Sequence, residues 1–123
     1  MPDTISAFDF RKRVAYHKWP KRAFHLAARR QLRRLAEALC LAQGSCDIRN
    51  NAGGMAVSGE IILHCDQVYV QVCQPTTGHD TGVMFRTCEG RRDYTGGPNN
   101  FASLDLLNEP DALARRIKEA CRV

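Results

Sequence analysis

"MAVSGEIILHCDQVYVQVC", residues 55–73, is the stretch on which the fold turns. Apolar residues recur at alternate positions on either side of Asp66-Gln67: Met55, Val57, Ile61, Leu63 and Cys65 before it, Val68, Val70 and Val72 after it. That period of two predicts strands. With Asp66-Gln67 as a two-residue turn, Cys65 falls opposite Val68, Leu63 opposite Val70, and Ile61 opposite Val72. Both apolar sets then share one face, as a half-buried antiparallel pair requires. The other face carries Ser58, Glu60, Ile62, His64, Tyr69, Gln71 and Cys73. It is polar enough to stay open to water, and it is a candidate binding surface.

Outward from this hairpin, "GVMFRTC" predicts a third strand with Val83 and Phe85 facing in, and "CDIRN" predicts a further edge strand that turns at "AGG". Before the strands the period changes. From Pro20 to about Gln43, Phe24, Ala28, Leu32, Leu35 and Leu39 form one helical stripe, with Pro20 suited to the first turn and Gly44 to the position just past the end. After them, Asn108 is the expected cap of a last helix, with Leu107 stapled to Ala112 and an inner stripe of Leu113, Ile117 and Ala120. The result is an α+β fold, a two-layer sandwich in the order α-β-β-β-(β)-α with three or four antiparallel strands. Residues 1–123 form a single domain, and residues 1–18 an arm or short strand with its aromatics as anchors.

The 123 residues are enough to bury a core without metal or disulfides. No apolar run suits a signal peptide or a membrane span, so the expectation is a cytoplasmic protein. Its six cysteines are then reduced, and the absence of a C-x-x-C pair leaves no zinc-ribbon or redox motif. Net charge is +5, but it is unevenly placed. Residues 1–50 hold eleven Lys or Arg against four Asp or Glu, and the remainder seven against nine. Such asymmetry points to an anionic partner of the first segment.

The basic residues with the clearest pattern are Arg22, Arg29, Arg30, Arg33 and Arg34, opposite the apolar stripe of the first helix. Helical spacing puts Arg22, Arg29 and Arg33 in one row and Arg30 and Arg34 in another, so that successive phosphates could be met together. Helix, three strands, helix is also the order of the double-stranded RNA-binding domain. That family's phosphate-gripping lysine cluster has no counterpart in the acidic turn "NEPDALA" (108–114), and the similarity ends at topology.

Other chemistry has less support. His64 and Cys73 are too far apart in the expected register to share an ion, and His17, His25 and His79 show no ligand spacing, so no metal and no cofactor is expected. Ser58 lacks the setting of a nucleophile elbow, and "TGGPNN" has no Walker lysine. The long connection containing "RDYTGGPNNFAS" (92–103) reads first as a turn built by its glycines and asparagines. Its alternative role is a ligand loop of Arg91, Arg92, Tyr94, Asn99 and Asn100 around a small anion.

Three functions follow in order of preference. The first is a non-enzymatic protein contacting nucleic acid or a nucleoprotein surface through the arginine helix. The second is a protein-interaction module, an inhibitor or adaptor or a homodimer, using the open sheet face. The third is an anionic-ligand or enzyme domain on the 91–100 loop. No membrane partner is expected.

Overall fold

A computed structural model describes residues 7–41, 44–93 and 96–122. Helix α1 spans Lys18–Ala38. It starts two residues before Pro20, because a proline in the first turn gives up only an N–H that has no intrahelical acceptor. Phe24, Ala28, Leu32 and Leu35 are buried along it, as the stripe predicts. The end differs from expectation. Cys40, not Gly44, takes the left-handed position (φ 59°); its N–H donates to the Glu37 carbonyl and that of Leu41 to the Ala36 carbonyl. Those two bonds close the helix as a Schellman motif.

Five strands follow in a simple antiparallel meander: β1 (Cys46–Asn51), β2 (Glu60–Cys65), β3 (Val68–Cys73), β4 (Val83–Thr87) and β5 (Asn100–Ala102). The central register pairs Leu63 with Val70 and Ile61 with Val72, as the alternation predicts. One strand more than expected is present, since three residues are too few to show a period. Met55 and Val57 are not part of β2: they lie in the β1–β2 connection, 74% and 50% exposed.

The inner face of the sheet, with Ile61, Leu63, Val70, Val72, Val83 and Phe85, is covered by α1 and by α2 (Pro110–Cys121), giving the two-layer α+β sandwich. Between β5 and α2 a 3-10 turn, Leu104–Asn108, is opened by Ser103, whose Oγ accepts from Asp105 N–H. Asn108 is not the cap of α2. Glu109 holds that place, and the Asn108 amide instead donates to the Phe8 carbonyl. The inner stripe of α2 is Leu113, Ala114, Ile117 and Cys121, while Ala120 is exposed.

The outer face is not left open. Ser58 is buried beside Gln74, whose backbone N–H donates to its Oγ. Toward the other end of β2, Ile62, Tyr69 and Cys88 form a second small apolar cluster with His64 buried. The cause is the connection after β4, which folds back over this side: the Gly90 carbonyl accepts from His64 Nε2, and Gly96 lies against the Arg86 side chain. Arg86 in turn is stacked 4.2 Å from the Tyr69 ring centre. Since Arg49 can only donate to His64 Nδ1, the Nε2 atom carries the proton and the ring is neutral. Burial, with Arg49 and Arg86 adding to it against the Gly90 bond, lowers the His64 pKa from 6.5.

Two cysteines expected to be reduced are joined instead. Cys46 and Cys65 are directly opposed in the β1–β2 register and form a cross-strand disulfide, a pairing that spacing in sequence could not indicate. Cys88 and Cys121 are buried, and burial pushes their thiols up.

Residues 7–17 run along the body as turns without a strand. Phe10 and Val14 are buried, and the Gln74 carboxamide fastens the segment. Its Nε2 donates to the Phe10 and Lys12 carbonyls (3.0 and 2.7 Å), and its Oε1 accepts from Val14 N–H (3.1 Å). Arg13 adds donations to the Pro75 and Thr76 carbonyls. No described helix is long and apolar enough to cross a membrane.

Candidate nucleic-acid interface

The two arginine rows of α1 point to different neighbours. Arg22, Arg29 and Arg33 flank the side of β1, whereas Arg30 and Arg34 border a hollow with Phe8 and Asn108. None of the five pairs with a carboxylate among the described residues, although Arg34 donates to Gln31 Oε1 at 3.1 Å. Arg29 is partly engaged, donating to Asn50 Oδ1 at 3.0 Å and reaching the Ile48 carbonyl at 3.5 Å.

Arg29 thereby bridges the middle of a groove between α1 and β1. Toward the start of α1 the groove opens into a cleft of about 460 Å³, walled by Tyr16, Trp19, Lys21, Arg22, Asn50 and Met55. Its volume lies in the usual range of small-ligand sites, about 300–1,000 Å³. Toward the other end Arg33, Ile48 and Leu41 line a second hollow, beside Glu37. From Arg22 to Arg33 the helix rises about 16 Å.

Local sequence accounts for the cleft. Tyr16 adopts a left-handed conformation (φ 69°), and its N–H donates to the Met55 carbonyl at 2.8 Å, so the arm and the β1–β2 connection meet there. Lys21 Nζ ties the same connection through the Gly54 carbonyl. Gly59 lets the connection pass close beneath α1: a Cβ there would lie 2.8 Å from His25 Nε2 and nearer still to the Asn51 and Ala52 carbonyls. His25 is buried, with Nε2 2.8 Å from the Ser58 carbonyl. Tyr16 and Trp19 are not the expected anchors; they stand 67% and 69% exposed at the cleft's mouth, with Lys18 Nζ 5.4 Å from the Trp19 ring centre.

No protein-family profile, curated protein or solved structure matches the chain.

The residues of the 91–100 loop are not gathered in the same way. Arg91 pairs with Asp47 and Asp66 (3.3 Å each) and donates to the Gly44 carbonyl. Asn100 belongs to β5 and bonds the Phe85 and Pro98 carbonyls, while Arg92 and Asn99 are exposed. Tyr94 lies outside the described residues. Asp93, which receives the Glu89 and Gly96 N–H groups, holds the loop's turn together.

The sequence placed the arginine rows but missed the cleft. Met55 read as a strand residue, and Tyr16 and Trp19 as packing anchors; the available signal was their interleaving with Lys18, Lys21 and Arg22.

Proposed function

We propose that this chain is a non-enzymatic binding protein that contacts nucleic acid, free or in a nucleoprotein, through the arginine face of α1. The observation that carries the reading is the lack of carboxylate partners for Arg22, Arg29, Arg30, Arg33 and Arg34 among the described residues. Arginines with intramolecular acids have little to offer a phosphate; of these five, Arg22, Arg30 and Arg33 make no side-chain bond among the described residues, and Arg29 and Arg34 are held only by neutral amide and carbonyl oxygens. Further support comes from the cleft beside Arg22, whose lining includes Lys18 and Lys21 and no Asp or Glu.

The test is a titration of labelled DNA and RNA oligomers, single- and double-stranded, at about 50 and about 200 mM salt, conditions between which phosphate-driven binding weakens steeply. Binding that weakens with salt and is lost when Arg22, Arg30 and Arg33 are changed to Gln is the expected result. Affinity that is flat with salt, or indifferent to those changes, overturns the reading.

A further inference from the structure

We infer that the α1–β1 groove takes single-stranded nucleic acid, with one unpaired base held among Tyr16, Trp19 and Met55 and the adjoining phosphates on Arg22, Arg29 and Arg33. The inference rests on the nucleic-acid reading above and names its substrate class.

Exposed aromatics are the first argument. Tyr16 and Trp19 keep about two thirds of their surface in water, although each could bury a large apolar area. They sit at the mouth of a concave cleft with Met55, itself 74% exposed. Every base has a π-face, so an aromatic platform next to cations is the arrangement that holds single strands without reading their sequence.

Charge and shape complete the case. Arg22, Arg29 and Arg33 continue from the cleft along the groove for about 16 Å, the length of a few nucleotides rather than of a duplex turn of about 34 Å. In a duplex the bases are stacked and paired, so none can enter the cleft without being turned out and losing its pairing and stacking. An extended acidic peptide is disfavoured by a different feature. Such a ligand would add to the edge of β1, but Arg29 reaches the Ile48 carbonyl on that edge.

Trp19 is the only tryptophan of the chain, so its emission reports the cleft directly. The experiment titrates the full chain with a single-stranded oligomer, the same sequence as a duplex, and polyglutamate, following both anisotropy and Trp19 fluorescence. Expected are quenching by the single strand, affinity about tenfold or more above the duplex, and a comparable loss in Trp19→Ala that Trp19→Phe largely restores. Thermal denaturation checks that the variants fold; should Trp19→Ala not fold, quenching of the unaltered chain decides. Equal, salt-dependent binding of both strand forms without quenching overturns the single-strand inference and leaves the nucleic-acid reading standing. Polyglutamate competing as well as the oligomer overturns it too, since charge alone would then suffice. No binding of any nucleic acid at low salt removes both.

Discussion

Arg29 Nη1 lies 3.0 Å from Asn50 Oδ1, joining the middle of α1 to the edge strand of the sheet. Arg29 is thus both a structural clamp and a member of the groove, whereas Arg33, one turn further on, is exposed and makes no ion pair among the described residues. Arg29→Ala is expected to cost about 1 kcal/mol of stability, the worth of a lost hydrogen bond. Arg33→Gln should leave stability within about 0.5 kcal/mol. Urea denaturation of the two variants beside a binding titration separates the roles: both should weaken oligomer binding, and only the first should lower the midpoint.

Gly59→Ala should be among the most damaging single changes. Its φ of +76° disfavours any side chain, and the new methyl would meet two carbonyls and the buried His25 ring. A loss of about 2–4 kcal/mol is expected by denaturant titration, in the range of backbone and overpacking effects combined. Because the β1–β2 connection carries Met55, this variant should also blunt the Trp19 response.

Cys40→Gly should do the opposite. At φ 59° the cysteine holds a conformation that glycine adopts freely, so the exchange should stabilise the end of α1 by about 1 kcal/mol and raise the melting temperature by a few degrees. An unchanged or lowered midpoint would show that the thiol contributes more than its backbone strain removes.

The pH dependence near neutrality should come in large part from His64. Its pKa is lowered in the folded chain, chiefly by burial, so as pH falls below 6.5 the unfolded chain takes up a proton that the folded one resists. Stability is therefore full above that value and declines through it until the folded pKa is reached. Unfolding free energies compared at about pH 7.5 and about pH 5.5 should differ less in His64→Gln than in the parent chain. Glutamine does not titrate there, and it can still accept from Arg49 and donate toward Gly90.

How much of this was legible depended on whether the deciding force acts along the chain or across it. The Ile61–Val72 and Leu63–Val70 pairs and the stripe of Phe24, Ala28, Leu32 and Leu35 follow from periodicity, because burying one face dictates the sequence period itself. The buried outer face was not legible: Ile62, His64 and Tyr69 alternate with the core residues and look solvated until the chain after Cys88 returns to cover them. Nor could the end of α1 be read, since nothing marks Cys40 as left-handed while Gly44 stands nearby. For the candidate site, the arginine spacing was visible, but the cleft needed Tyr16 and Met55, 39 positions apart in the numbering, to be brought together by one backbone bond.

The hold of Gln74 on Phe10, Lys12 and Val14 also sets an order of events during folding. These bonds span 60 to 64 residues, so the loop they close is long and its entropy must be met before any of them forms. Helix α1 and the β2–β3 hairpin need only local contacts, but the arm has nothing to hook onto until β3 and the residue after it are in place. The arm leading to the groove is therefore expected to dock after β3 has formed rather than together with α1.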